Sequence, residues 1–399
     1  MRHYIIQYLK QHPVILDFAW KNIGCLLKIL SYIIPFEKKT IMFCSFGGRK
    51  FDDSPKALYD EICKREDFKD WRIIWAFVNP NDFNISRGEK VKIDTPSFFK
   101  ALLKSRVWIS NSGMTRGVEF KRKNVVRVET WHGTPLKKIG GEENTNSMLK
   151  YRNKKNTLDD KTIRCAQSVF DRNIFARIWN ASPDKIILSD LPRNDSLFHY
   201  TQEDIMQIKK TLGISKGKKI ILYTPTYREY LIDENKNNFI APPIDLDKWE
   251  NRLSSEFVLL IRAHYAVSAA LNIKENDFIK DVSGYPILND LYIISDMMIS
   301  DYSSTYFDFS ILNRPMYCFA YDRREYEEKR GLYLNLDTDL PCSIDVDEDS
   351  LINHILTTNI EEACDRSKAF HLKYAPYAGG ASKVVVDEVL KQLSFIKAL

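Results

Sequence analysis

The sequence predicts an α/β protein built as two Rossmann-like halves with a cleft between them. Three observations carry this expectation. Short apolar runs alternate with helix-period segments along most of the chain, the pattern of a parallel doubly wound sheet. Each half delivers a histidine just after an apolar run, His132 in the first and His264 in the second. The stretch Asp296–Asp322 reads as a complete β–turn–α–β unit. In it Met297–Ile299 is a buried strand, Ser300-Asp301-Tyr302 a turn, and Ser303-Ser304 the start of a helix to Leu312. Asn313-Arg314-Pro315 stops that helix, and Met316–Ala320 forms a second strand.

Composition narrows the class. A chain of 399 residues has room for two or three domains at about 150 residues each. With 44% hydrophobic and 28% charged residues it is ordinary globular material, which excludes a disordered or fibrous chain. A net charge of +6 suits an anionic membrane surface or a polyanionic substrate and is too small to argue for nucleic acid. The seven cysteines form no C-x-x-C pair and no metal-ligand spacing, so they read as buried, reduced thiols of a cytosolic protein.

The elements follow in order. From Met1 to Phe36 apolar residues dominate, but Lys10, Asp17, Lys21 and Lys28 keep any run short of a membrane span. Lys28 also breaks the apolar region that a signal peptide would need. Val14–Ile34 fits an amphipathic helix that buries Phe18, Trp20, Leu26, Leu27 and Leu30. Its basic companions Arg2, Lys10, Lys21, Lys28, Lys38 and Lys39 would face anionic headgroups, although such a helix also packs well on a protein surface. Thr40–Ser45 is a strand leading into the glycine-containing loop Ser45–Lys50, and Ser54-Pro55 opens a helix. Trp71–Val78 is a strand, Ser97–Lys104 a helix, and Val107–Ser110 a strand ending in Asn111-Ser112-Gly113. Val125–Thr130 delivers Trp131-His132-Gly133-Thr134-Pro135 to a strand's carboxyl end, where open parallel sheets bind ligands. After a polar stretch, Tyr200–Lys218, the second half begins with the strand Lys219–Tyr223 and the loop Thr224–Arg228. Phe257–Arg262 is a strand ending in Ala263-His264-Tyr265, and Ala381–Leu399 is a closing helix.

Two histidines in polar loops at strand ends can divide proton-transfer work, because imidazole accepts a proton near neutral pH. Either could equally be a hydrogen-bonded structural residue. Ser303 and Ser304 offer hydroxyls at a helix start, as caps or as part of an anion site. Metal use has little support: Asp245-Leu246-Asp247 and Asp337-Thr338-Asp339 do not directly follow strands. There is no Walker-type loop, no GxGxxG and no G-x-S-x-G elbow. Neither a metal nor a cofactor is expected.

Five blocks in order resemble the CDP-glycerol glycerophosphotransferase family of teichoic acid and capsule synthesis. They are Thr130–Gly140 (TWHGTPLKKIG), Thr224–Glu229 (TPTYRE), Arg262–His264 (RAH), Ser300–Phe309 (SDYSSTYFDF) and Asn313–Asp322 (NRPMYCFAYD). Ser45–Tyr59 and Pro376–Ser382 are similar to the family's opening and closing segments. The resemblance implies a GT-B-like fold and a peripheral enzyme on the cytoplasmic face of a bacterial membrane. Such an enzyme moves glycerol phosphate from CDP-glycerol to a hydroxyl of a lipid-linked saccharide and releases CMP.

Carried over by position, His132 is the general base on the acceptor hydroxyl, within an acceptor loop that includes Gly133 and Thr134. His264 supports the donor pyrophosphate and the departing CMP. Ser303 and Ser304 hold phosphates, Asp308 meets the ribose hydroxyls, and Arg262 and Thr226 are further donor contacts. CDP-ribitol users share the same blocks, and a sugar-nucleotide glycosyltransferase of the same fold is a further alternative. The sequence departs from the family at Tyr265, where proline is expected, and at Asp190, where glycine is usual. Only about forty residues precede the glycine loop, which fits a priming enzyme better and leaves a polymerase open. The expected division is 1–37 membrane-associating helices, 38–200 acceptor domain, 201–380 CDP-donor domain and 381–399 C-terminal helix. A homo-oligomer is compatible with all of this.

Overall fold

The computed structural model describes residues 13–115, 118, 120, 122–144, 162–214, 217–228, 241–263, 267 and 271–397. They fall into two compact units. One is drawn from Met1–His132, Asp159–Cys165 and Gly380–Leu399, the other from Gly133–Leu158 and Ala166–Gly379. The boundary expected at 200/201 thus lies inside the second unit. The chain also returns to the first unit at its end. Helix Ala381–Lys397 packs on helix Asp53–Lys64, and Asp387 pairs with Arg65 at 2.6 Å.

The first unit contains strands β1 (Glu37–Cys44), β2 (Arg72–Phe77), β3 (Glu89–Lys92), β4 (Ser105–Ser110), β5 (Val126–Glu129) and β6 (Thr162–Ala166). They lie in the order β3-β2-β1-β4-β5-β6 with parallel pairing throughout. Ile41–Cys44 and Ile73–Phe77 are buried on both faces, as interior strands of a covered parallel sheet must be. Polar β3 forms the exposed edge, which is why no apolar run announced it. The chain lays β2 and β3 to one side of β1, then returns to add β4, β5 and β6 on the other. The switch point therefore falls between β1 and β4.

Helix Pro13–Ile33 matches the expected Val14–Ile34 within a residue. Leu27 is buried in a cluster with Phe98, Leu102 and Leu103, whereas Phe18, Leu26, Ile29, Tyr32 and Ile33 stay exposed. Residues 1–12, with Arg2 and Lys10, lie outside the described residues. Among the described residues no helix is long and apolar enough to cross a membrane.

The second unit contains β7 (Ile186–Leu188), β8 (Lys219–Tyr223), β9 (Phe257–Ile261), β10 (Ile279–Asp281), β11 (Met297–Ser300), β12 (Met316–Phe319) and β13 (Ile344–Asp345). Six of them form a parallel sheet in the order β10-β9-β8-β11-β12-β13. Here the switch point falls between β8 and β11. The β–turn–α–β reading of Asp296–Asp322 holds, but its helix is shorter than expected, Thr305–Ser310. Single turns continue to Asn313, whose positive φ of 53° ends the element before Pro315. The polar stretch after Tyr200 holds a helix. Thr201 and Asp204 form a capping box that starts helix Gln202–Thr211.

Candidate active site

In the first unit the polar groups gather at the switch point around Asn111, the residue after β4. Its side-chain oxygen accepts from Phe46 N at 2.8 Å, and Ser112 Oγ accepts from Gly47 N at 2.9 Å. The glycine loop therefore spends these amides on its own neighbours and is not an open phosphate cradle. The Asn111 carbonyl takes His132 Nδ1 at 2.9 Å. A carbonyl only accepts, so Nδ1 carries the proton and Nε2 is the basic nitrogen of the neutral ring. The Trp131 ring stacks on His132 at 4.1 Å, and the Phe46 ring lies 5.6 Å away. Trp131 holds a φ of 59°, a region costly for a bulky side chain and one that concentrates at functional sites. The imidazole is thus fixed in tautomer and in plane.

In the second unit the loops after β8 and β11 are built around a buried arginine. Arg228 donates to Asp301 at 2.6 Å and to both oxygens of Asp322 at 2.9 Å. Asp301 also receives the amides of Thr226 and Tyr302. Burial opposes the guanidinium charge, but Asp301 and Asp322 outweigh it and hold Arg228 protonated far above the usual range. Thr226 is buried, and its hydroxyl has no hydrogen-bond partner among the described residues. Arg262 donates to the carbonyls of Val282 at 3.3 Å and Tyr285 at 2.6 Å, clamping the chain beyond β10.

Ser303 Oγ accepts from Thr305 N at 3.3 Å, the local capping role. Ser304 makes no side-chain cap bond to its helix. It packs instead against Gly133: a Cβ at that position would lie 2.8 Å from Ser304 Oγ and 3.2 Å from Arg193 Nη2. With φ at 145° as well, Gly133 is a position only glycine can fill. Thr134 is fully buried and donates to Gln167 at 2.6 Å, next to Asp171 at 3.1 Å. Asp171 completes the capping box of Ser168 at the start of helix Val169–Ile178, and burial pushes its carboxyl up to about 6 despite its hydrogen bonds.

Asp308 is not placed as expected. It is 2% exposed; its Oδ2 accepts from Arg193 at 2.5 Å and its Oδ1 from Asn194 at 2.9 Å and Gln167 at 3.4 Å. A carboxylate surrounded by internal donors holds the protein's own groups and is not presented to ribose hydroxyls. His264 and Tyr265 lie outside the described residues. Among the described residues no group of three or more His, Cys, Asp or Glu side chains could hold a metal ion. Sequence reasoning missed Asn111, Gln167, Arg193 and the Arg228 cluster, although Arg228 stands inside a block it singled out.

Residues 26–391 match the family CDP-glycerol:poly(glycerophosphate) glycerophosphotransferase. The chain belongs to this family. It is 32% identical over 370 residues to the teichoic acid glycerol-phosphate transferase of Staphylococcus aureus, covering 89% of this chain and 93% of that relative. It is 32% identical over 372 residues to the teichoic acid poly(glycerol phosphate) polymerase of Staphylococcus epidermidis, covering 89% of this chain but only 51% of that longer protein. Among solved structures, the wall teichoic acid polymerase TagF superposes with a TM-score of 0.83 at 29% identity, covering 99% of this chain and 98% of that one. The departure at Asp190 from the family's usual glycine has a backbone explanation. Asp190 sits at φ 71°, a conformation that glycine adopts freely and that aspartate tolerates better than most residues.

Proposed function

We propose that this chain transfers glycerol phosphate from CDP-glycerol to a hydroxyl of a lipid-linked glycan acceptor and releases CMP. The observation that carries the reading is His132: an imidazole at a strand's carboxyl end, with its Nδ1 proton committed to the Asn111 carbonyl. That geometry suits a general base acting through Nε2.

In the transfer step the acceptor oxygen forms a bond to the glycerol-bearing phosphorus of the donor. The bond from that phosphorus to the bridging oxygen breaks, CMP leaves with that oxygen and the electron pair, and the acceptor proton passes to His132. Such a reaction asks for positioning and positive potential more than for covalent chemistry. Ser303 and Ser304 contribute hydroxyls to the donor phosphates, and His264 the support for the leaving CMP. The partnerless hydroxyl of Thr226 is available to a donor oxygen after a small shift. Gly133 lets the acceptor loop approach Ser304, Thr134 anchors that loop, and Arg262 acts through the backbone it clamps. The acceptor is assigned to the unit that carries His132, and the CDP donor to the unit that carries Ser303 and Ser304.

The protein works at the cytoplasmic face of a bacterial membrane as a peripheral enzyme. Support comes from helix Pro13–Ile33, whose exposed Phe18, Ile29, Tyr32 and Ile33 accompany the exposed lysines Lys21 and Lys28. Glutamate in place of Phe18, Ile29 and Ile33 should abolish co-sedimentation with anionic vesicles; unchanged sedimentation would make the helix a purely structural element.

The direct test is CMP release from purified protein given CDP-glycerol or CDP-ribitol with a lipid-linked disaccharide. Acceptor-dependent CMP from CDP-glycerol is the expected result. CMP from CDP-ribitol alone would move the assignment to the ribitol branch, and a nucleoside diphosphate product from a sugar nucleotide would overturn it.

A further inference from the structure

We propose that Arg193 is a direct contact of the donor's phosphate oxygens, and that Asp308, Asn194, Gln167 and Asn289 are positioning residues that hold it in place. The inference rests on the CDP-glycerol reading above. It begins with a coincidence of groups. Arg193 Nη2 and Ser304 Oγ both lie within 3.2 Å of the single point where a Gly133 side chain would begin, and Gly133 follows the proposed base directly in the chain. A neutral hydroxyl alone offers little to the charge that spreads over phosphate oxygens in transfer. A guanidinium beside it supplies a full positive charge and planar N–H donors matched to such oxygens.

Two other loop arginines of this unit, Arg228 and Arg262, are spent on Asp301 and Asp322 and on two carbonyls respectively. Arg193 is built in from both of its ends. Its backbone carbonyl accepts from Asn289 Nδ2 at 2.6 Å, and its guanidinium is gripped by Asp308 Oδ2 at 2.5 Å. Asp308 is itself fixed by Asn194 and Gln167, and these same two amides also bind Asp190 Oδ1, at 3.2 and 3.1 Å. The side chain of Arg193 is 12% exposed, so it is sheltered enough for its charge to act in a low dielectric and still reachable from outside.

A second ionised carboxylate in this cluster would weaken its attraction for an anion. Burial, with the Asp308 charge adding to it, pushes the Asp190 carboxyl up to about 8, so at neutral pH Asp190 is largely uncharged. The cluster then keeps one carboxylate to aim the guanidinium without overcompensating it.

The experiment compares wild type with Arg193→Lys, Arg193→Gln and Asp308→Asn in acceptor-dependent CMP release from CDP-glycerol, with folding checked by circular dichroism and melting. Arg193→Gln should lower kcat/KM by about 10²–10³-fold, the scale of losing one preorganised donor to developing charge. Lysine should recover only part of this, and added guanidinium ion should restore part of the Arg193→Gln activity. Asp308→Asn should fall between in kcat/KM. A structural role would instead lower melting temperature and activity together in all three variants, with no rescue by guanidinium, and that result overturns the proposal. So does an Arg193→Gln variant within threefold of wild type. Wild type that releases no CMP from CDP-glycerol overturns the donor reading and takes this inference with it, whereas active wild type beside equally active Arg193→Gln overturns this inference alone.

Discussion

Replacing Arg228 with methionine gives the sharpest test of how the second unit's loops are held. The guanidinium is 3% exposed and makes a bond to Asp301 at 2.6 Å, a two-pronged bond to Asp322 at 2.9 Å, and ring contacts with Tyr302, Tyr321 and Tyr326. Asp301 and Asp322 are 2% and 8% exposed, so the substitution strands two carboxylates that water cannot reach. Removing one partner of a buried ion pair costs about 3–5 kcal/mol, most of it the penalty on the charge left behind. For a unit of this size that corresponds to a melting temperature lower by about 6–20 °C. Calorimetry is the suitable assay, because two units need not melt together and a single midpoint would blur them. One transition should fall and the other should stay. The physical cause is checked by Arg228→Met combined with Asp301→Asn and Asp322→Asn. If stranded charge is what destabilises the single variant, the triple variant recovers at least half of the loss. A single variant within about 1 kcal/mol of wild type, or a triple variant no more stable than the single, would refute the reasoning.

The remaining expectations are briefer. His132→Ala should lower turnover by about 10²–10⁴-fold with CDP-glycerol affinity nearly intact, and unchanged turnover would remove His132 from the chemistry. The double change Ser303→Ala with Ser304→Ala should act the other way, raising the apparent donor constant more than it lowers kcat; wild-type donor affinity would end the phosphate assignment. Asp190→Asn should flatten the pH dependence of stability. In the unfolded chain Asp190 ionises near its ordinary 3.8, whereas the folded carboxyl keeps its proton to about 8. Unfolding therefore releases a proton within that window, and stability falls as pH rises by up to about 1.4 kcal/mol per unit. Parallel stability–pH curves for wild type and Asp190→Asn between pH 5 and 7 would refute this.

How much of this was legible beforehand depends on where the information lies. Lys219–Tyr223 is found to the residue and Phe257–Ile261 to within one, because a strand covered on both faces is an unbroken apolar run with polar ends. Edge strands such as Glu89–Lys92 and Ile344–Asp345 are short and half polar, and nothing in their period separates them from loops. Asp308 shows the same limit at the site. Its role toward the ribose hydroxyls came from the family resemblance alone, not from any local pattern. In the fold, Tyr306 to Ser310 are all buried, so that helix has no outward face from which spacing could be read. What captures Asp308 is Arg193, 115 positions earlier in the chain. No local pattern reports a partner at that distance. Asp308 stood inside a singled-out stretch, yet its pairing with Arg193 is visible only in the fold.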